Sequence, residues 1–206
     1  MLDKILNQSA KKHYVLGENQ VLDLLVVQMH DADCEVDIKV DLEGIGSNVN
    51  IFGIYFASAG QIIQNRVVVN HIAPKCTSSI LYKGALLGSG AKTSWDGFVN
   101  IGENAVNTDT YETNRNLLLS EGASAVSVPN LEILTGDIVR AGHASATGRF
   151  DDQQLFYLMS RGIDAKTAQK LIVRGFFEEI IQNAELDDLE QTEIFKQLER
   201  KIDEVR

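Results

Sequence analysis

One histidine stands out in this sequence because of the small residues around it. His143 lies in the run Gly142–Gly148, where its direct neighbours, Gly142 and Ala144, leave the imidazole uncovered. Imidazole is the commonest protein ligand for transition metals and binds them in its neutral form near pH 7. A turn histidine that hydrogen-bonds to the backbone would give the same pattern, and one ligand does not make a site. His143 is therefore a candidate metal ligand that needs further ligands from elsewhere.

The two cysteines, Cys34 and Cys76, are weaker candidates. Cys76 follows Lys75, whose charge would favour the thiolate, and Cys34 lies near His30 in an acidic stretch. A small buried side chain for Cys76 and accidental clustering around Cys34 are the simpler interpretations. The sequence contains no CxxC or HxxxH spacing, so we predict no closed zinc site.

A set of carboxylates in the second half of the chain offers a different chemistry. Two of them converging on a groove would give a carbohydrate-active enzyme, because glycoside hydrolysis uses a pair of carboxylates. Their scattering among turns and strand faces favours exposed side chains instead. The sequence also lacks the phosphate-binding motifs GxxxxGK[ST] and GxGxxG and the nucleophile motif GxSxG, so we predict that the chain is not an enzyme. The carboxylates considered are Asp109, Glu112, Glu132, Asp137, Asp151 and Asp152.

Composition excludes several classes of partner. The 206 residues carry a net charge of −10, which argues against nucleic acid because binding to phosphates needs a basic face. No apolar run approaches the roughly 18–20 residues that span a bilayer, so we predict no membrane association. The first residues lack the layout of a signal peptide, and two cysteines make no disulfide framework. These features predict a cytoplasmic protein.

An internal repeat predicts the architecture that would position His143. The segment 86–91 recurs as 118–123, and the offset between turns is about 31 to 33 residues. Val36–Leu42 alternates strictly between apolar and polar residues, as a strand does, and no helical pattern interrupts residues 33–145. An antiparallel sandwich is the main structural alternative. The repeat offset and the asparagine-rich turns favour a parallel β-helix, in which each coil stacks on the one before it.

The pattern changes to helical after the repeat. Asp151 and Asp164 are predicted helix caps, Gly162 a helix end, and residues 186–205 a third helix with Ile194, Leu198, Ile202 and Val205 along one face. Residues 1–12 show a weak helical pattern and are predicted to form a tail or a short capping helix. The predicted organisation is therefore an N-terminal segment over 1–12, a β-helix core over 13–149 and a C-terminal helical region over 150–206.

Six segments of the sequence carry motifs of a known family: His71–Ser79, Tyr82–Gly84, Thr108–Leu119, Pro129–Ile133, Gly142–Gly148 and Asp152–Ile163. Together they resemble the SufB/SufD family, the scaffold subunits of the SUF iron–sulfur cluster assembly machinery. The resemblance covers about residues 14–181 and implies a right-handed parallel β-helix flanked by helices. SufB-like members carry a cysteine where this chain has Ala123 and glutamates where it has Gly142 and Ala144, so the chain resembles the C-terminal portion of the SufD-like branch.

The resemblance implies a function and two sites. His143 matches the SufD histidine of a cluster site at the interface with SufB, where a nascent iron–sulfur cluster would be held transiently and shared with the partner, with no tightly bound cofactor. The C-terminal helices resemble the docking surface for SufC, the ABC-type ATPase, which gives Arg174, Phe176 and Phe177 a partner.

Two alternatives remain open from the sequence. Family members are usually longer, so this chain is either a fragment or a natural short form, and an open solenoid end invites self-association into a homodimer. A self-associating structural solenoid and a carbohydrate-active β-helix enzyme are the rival functions.

Overall fold

The computed structural model describes residues 2–204 and shows eleven strands followed by three helices. Several of the turns between strands contain Gly or Asn, because these residues readily adopt the left-handed backbone that tight turns need. Gly60, Gly90 and Gly122 all have positive φ values. The strands are β1 Leu2–Leu6, β2 Ala10–Leu16, β3 Val21–Gln28, β4 Cys34–Leu42, β5 Asn48–Ala57, β6 Ile62–His71, β7 Thr77–Leu86, β8 Lys92–Ile101, β9 Thr108–Leu118, β10 Ser124–Ile133 and β11 Ile138–Arg149.

Every strand pairing in the described residues is parallel. Odd-numbered strands form a six-stranded sheet in the order β1-β3-β5-β7-β9-β11, and even-numbered strands form a five-stranded sheet in the order β10-β8-β6-β4-β2. Successive strands therefore alternate between two facing sheets, and the chain winds through about five turns. This confirms the predicted β-helix and excludes the antiparallel sandwich, whose neighbouring strands would run in opposite directions.

The structure differs from the expectation over residues 1–12. That segment contributes β1 and the beginning of β2, where a tail or a capping helix was predicted. Leu2, Ile5 and Leu6 have helical spacing, but only Ile5 is buried, opposite Val26 of β3. The backbone groups of β1 are satisfied by a strand about 20 residues away, and such pairing overrides a weak local preference.

Three helices follow the solenoid. Asp151 accepts a hydrogen bond from the N–H of Gln153, and Asp164 accepts one from the N–H of Thr167, so both are N-caps as predicted. Gly162 has a φ of 87° and ends the first helix. Of the predicted third-helix stripe, Ile194, Leu198 and Ile202 are buried, and Val205 lies outside the described residues. The helices are α1 Asp152–Ser160, α2 Ala165–Asn183 and α3 Asp188–Glu204.

Two buried lysines bind α2 and α3 to the side of the solenoid that the six-stranded sheet forms. Lys83 of β7 donates to the carbonyl of Phe176 at 2.8 Å and pairs with Glu179 at 2.6 Å. Lys201 of α3 donates to the carbonyl of His30 at 2.9 Å and pairs with Asp31. An apolar cluster of strand and helix side chains surrounds these contacts. The helices are therefore bound to the solenoid by buried charge as well as by burial of apolar surface.

Replacing one or the other partner of the Lys83–Glu179 ion pair should change the stability by different amounts. Lys83 is buried, whereas the side chain of Glu179 is half exposed. Replacing Glu179 with Gln leaves a buried charge and should lower the free energy of unfolding by about 1–3 kcal/mol. Replacing Lys83 with Met removes that charge, keeps the apolar stem, and should cost less than about 1 kcal/mol. Urea denaturation of both variants measures the difference.

Asp203→Asn is the matched control, because Asp203 makes only exposed ion pairs with Lys166 and Lys170. Its cost should be smaller than that of Glu179→Gln, because exposed ion pairs are screened by solvent and contribute little to stability. A larger loss for Lys83→Met than for Glu179→Gln would contradict the predicted asymmetry, because it would mean that the contacts of Lys83 stabilise the protein by more than the burial of its charge costs.

Candidate functional site

His143 lies on β11, the last strand of the six-stranded sheet. It pairs in register with Glu112 of β9, and among residues 2–204 no strand covers the other edge of β11. The imidazole is 45% exposed, and its Nδ1 lies 3.8 Å from Oε1 of Glu112. The predicted metal ligand is therefore at the open end of the solenoid, within reach of a molecule that approaches this end.

The residues stacked below His143 show a change in the solenoid interior. The parallel register aligns Leu24, Ile51, Ile80, Glu112 and His143, one from each successive coil. The first three are fully buried apolar side chains, so the column is apolar in the early coils and polar in the last two. The neighbouring column changes in the same way, since Gly53 and Tyr82 are followed by Asn114. The end that presents His143 is thus polar inside as well as open.

Most of this polar interior forms a closed hydrogen-bond network. The amide of Asn114 donates to Oη of Tyr55 at 2.9 Å, and Tyr55 donates to Asn116. The amide of Asn116 donates to Asn114 at 2.8 Å and to Ser127 at 3.0 Å. These mutual bonds satisfy buried amides that would otherwise cost about 1–3 kcal/mol each.

Glu112 is an acidic side chain that stays outside this hydrogen-bond network. Its side chain is 0% exposed, and neither carboxylate oxygen has a hydrogen-bond partner among the described residues. Burial raises the pKa of Glu112 to about 7, the negative charge of Asp96 adds to the rise, and the N–H of Asn130 offsets part of it without a hydrogen bond of normal geometry. The indole N–H of Trp95 and the hydroxyl of Tyr82 also lack partners. Glu112 is therefore a buried acid whose oxygens are free to bind another group.

The remaining polar candidates do not join this site. Cys76 is buried against the hydroxyl of Ser47 at 3.2 Å, and Cys34 is buried against the amide of Gln28 at the same distance, so both have the structural role that the sequence favoured. Asp109 pairs with Arg140 on the surface. Within residues 2–204, no group of three or more His, Cys, Asp or Glu side chains is placed to hold a metal ion.

Sequence reasoning considered Glu112 as one of several scattered acids and missed its place beneath His143. The signal was present, because residues 112 and 143 are separated by one repeat length, and parallel coils place such residues in register.

The predicted docking residues on α2 have different environments. The side chain of Phe177 is fully buried between helix and sheet, so the prediction that it contacts a partner is wrong for this structure. Phe176 is half-buried beside Lys83. Arg174 is exposed and stacks on the ring of Phe195 at 4.1 Å. The segment 174–175 lies in the interior of α2.

Exposed aromatic residues lie instead on α1. Phe156 is 73% exposed and Tyr157 is 57% exposed, and Leu171 of α2 is also exposed. We call these three residues the helical apolar surface. Large exposed apolar side chains are candidates for contact with a partner. The sequence analysis did not identify these three residues.

The last coil also exposes apolar side chains. Val126 and Val128 of β10 and Val139 of β11 are exposed, as is Leu134 in the turn between these strands. They surround the open end that carries His143. None of the described helices is long and apolar enough to cross a membrane.

The fold and site define a parallel β-solenoid that presents an imidazole at one open end. Known proteins have sequences similar to this one. The family described as "SUF system FeS cluster assembly, SufBD core domain" matches residues 4–176. An iron–sulfur cluster assembly SufBD family protein of Mycobacterium leprae is 50% identical over 175 residues, which cover 82% of this chain and 45% of that protein. SufD of Escherichia coli is 32% identical over 153 residues, which cover 74% of this chain and 36% of that protein.

The chain therefore belongs to the SufBD core family. It spans less than half the length of the curated relatives that it matches most strongly. SufD of Bacillus subtilis, at 26% identity, matches over 90% of this chain and 42% of its own length.

The raised pKa of Glu112 predicts how the free energy of unfolding depends on pH. The unfolded chain loses the Glu112 proton near pH 4.5 and the folded chain near pH 7, so the stabilisation present at low pH is lost as pH rises through this window. Glu112→Gln removes the titration and keeps the side-chain size. Its stability advantage over wild type should grow by about 2 kcal/mol between pH 5 and pH 8 in urea denaturation. Glu132→Gln, an exposed change on β10, should show no such growth.

Proposed function

We propose that this chain is a non-catalytic, cytoplasmic scaffold subunit of an iron–sulfur cluster assembly complex. The names of its SufD relatives support the role in cluster assembly. It would pair with a SufB-like subunit and dock a SufC-like ATPase. The observation that carries the proposal is the position of His143 at the uncovered end of the family's solenoid. The nascent cluster is the cargo of the complex and would be bound transiently.

His143 would supply one imidazole ligand to that cargo. Its half-exposed ring lies on an edge strand, so a second subunit can bring its own ligands to the same point. A protein site usually gives a metal four ligands, and cysteine thiolates are the usual ligands of iron–sulfur clusters. The partner would then supply the thiolate. We expect a mixed imidazole–thiolate site to release its cluster more readily than a site made only of thiolates.

The edge strands of the last coil would form the subunit interface. An uncovered strand edge presents backbone donors and acceptors in the direction of a new strand, and β10 and β11 are the terminal strands of their sheets. The exposed side chains of Val126, Val128 and Val139 add apolar area beside them. The same edges would also support a homodimer, which is the outcome to test against a SufB-like partner.

The helical apolar surface would dock the ATPase. Phe156, Tyr157 and Leu171 are exposed on α1 and α2, and Arg174 adds a charge on α2. Lys83 binds α2 to the solenoid and Lys201 does the same for α3, so a force applied to α2 would be transmitted to the coils. ATP hydrolysis would take place on the partner, because this sequence has no phosphate-binding motif.

Removing the His143 imidazole tests the ligand role. We expect His143→Ala to co-purify with SufB- and SufC-like partners as wild type does, because the ring is half exposed and packs against little. The visible absorbance of the cluster reconstituted on the complex should fall severalfold or more. Ser145→Ala, on the same exposed strand, is the control and should keep the absorbance. Full cluster assembly on the His143→Ala complex would remove the ligand from the proposal.

Truncating the helical apolar surface tests the docking role. The double variant Phe156→Ala/Tyr157→Ala removes two exposed rings and should leave the melting temperature nearly unchanged. Binding to an immobilised SufC-like ATPase should weaken by tenfold or more, since buried aromatic anchors dominate interfaces at about 2 kcal/mol or more each. Leu189→Ala, an exposed change on α3, should bind normally. Unchanged binding by the double variant would contradict this assignment.

A further inference from the structure

We propose that Glu112 and His143 together form a binding site for a divalent iron ion at the open end of the solenoid. This inference rests on the proposed function and adds a second ligand and a first substrate to it: ferrous iron would bind here before the cluster is complete. The carboxylate of Glu112 would supply an oxygen ligand and the imidazole a nitrogen ligand. The remaining coordination positions would be filled by water or by a partner.

The separation of the two groups fits ligands of one ion. Nδ1 of His143 lies 3.8 Å from Oε1 of Glu112, which is too long for a hydrogen bond. Two atoms that each lie about 2.0–2.2 Å from the same metal can be separated by this distance. Both residues occupy the same column of adjacent parallel strands, so the backbone holds the separation without any contact between the side chains.

The carboxylate is poorly accounted for without a ligand. An ionised group that is buried and unpaired is costly, and such groups are ordinarily paired or bound to metal. The amides nearby solve this problem through their mutual hydrogen bonds, whereas neither oxygen of Glu112 has a hydrogen bond, and the charged partner within 4 Å would be the imidazole of His143 in its protonated form. The unpartnered groups of Trp95 and Tyr82 are neutral and cannot replace a carboxylate as a ligand. Glu112 is therefore the group in this interior that a cation would neutralise.

Gly97 permits the close packing around Oε2, the oxygen of Glu112 that does not face His143. A Cβ atom on Gly97 would lie 2.5 Å from Oε2 of Glu112 and 2.2 Å from the ring of Trp95, so any side chain at this position would collide with both. The site also has the composition that iron accepts, because imidazole and carboxylate ligands are typical of non-haem ferrous sites. The open end above His143 provides the entry path.

Trp95 supplies a built-in reporter. It is the single tryptophan of the chain, it is buried, and it adjoins the same glycine as Glu112. A paramagnetic ion bound at Glu112 should therefore quench its fluorescence. Co²⁺ is the probe, because it takes the same kinds of ligand as Fe²⁺ and does not oxidise in air under these conditions.

The experiment titrates the full chain with Co²⁺ at pH 7.5 and follows Trp95 fluorescence and the visible absorption of the bound ion. We expect saturable quenching by wild type. Glu112→Gln and His143→Ala should each weaken Co²⁺ binding by about tenfold or more, since even loss of an outer-shell partner costs about 10- to 100-fold. Glu132→Gln, on the exposed face of β10, should bind as wild type does.

Three results would overturn the site: no saturable binding by wild type, equal binding by Glu112→Gln, or equal weakening by Glu132→Gln. If Glu112→Gln does not fold, Glu112→Leu replaces it, because Ile80 occupies the position directly below and an apolar side chain continues that column. Loss of Co²⁺ binding in His143→Ala together with unchanged binding in Glu112→Gln refutes this inference and leaves the proposed function intact. A His143→Ala complex that still assembles a full cluster removes the ligand role of His143 from the proposed function, whatever the Co²⁺ titration shows.

Discussion

The stacking register of the parallel coils is the constraint on which the rest of the structure depends. Each strand pairs with the strand two positions later, so a residue in one coil lies beside the residue about 30 positions further along the chain. Side chains in register must share an environment, because a shift of one residue would turn every inward side chain outward. This is why Leu24, Ile51 and Ile80 build a continuous apolar column. The same register places Glu112 beneath His143 with no direct bond between them.

The change from an apolar to a polar interior separates a stabilising region from a functional one. The early coils bury aliphatic and aromatic side chains at near-zero exposure and account for most of the core. The later coils instead bury the polar side chains of Glu112, Asn114 and Asn116. Asn114 and Asn116 are satisfied by each other, whereas Glu112 is left without a partner. In the column that ends at His143, Glu112 departs from the rule that a buried polar group has a hydrogen-bond partner. Such departures are expected at functional sites.

Sequence patterns predicted the solenoid because the signals for strands and turns recur along the chain. Strict alternation identified strands such as Val36–Leu42, and the turn glycines recur once in each coil of the repeat. The helix caps Asp151 and Asp164 were equally local and were predicted correctly. The first strand was not, because Ile5 becomes a strand residue only by pairing with Val26 of β3. A weak helical spacing in twelve residues carries no information about that partner.

The site was predictable only in part, for the same reason. His143 was recognisable from its small neighbours, but the role of Glu112 depends on register and could be read only by applying the repeat length to the acids one at a time. The burial of Phe177 depends on which side of α2 faces the sheet. That choice is made by contacts with distant residues, among them Lys83 of β7, which binds the carbonyl of Phe176. Adjacent positions on a helix point about 100° apart, so the sequence could not say which ring was buried.

Disulfide trapping tests the register most directly. With Cys34 and Cys76 replaced by Ser, the pair Glu112→Cys/His143→Cys should form a disulfide under mild oxidation, because adjacent strands lie about 4.8 Å apart and disulfides span Cα separations of about 4.4–6.8 Å. The pair Glu112→Cys/Ser145→Cys, displaced by two residues along β11, should remain largely reduced, since such diagonal neighbours are about 7–8 Å apart. Preferential cross-linking of the displaced pair would contradict the stacked column and, with it, the site at the open end.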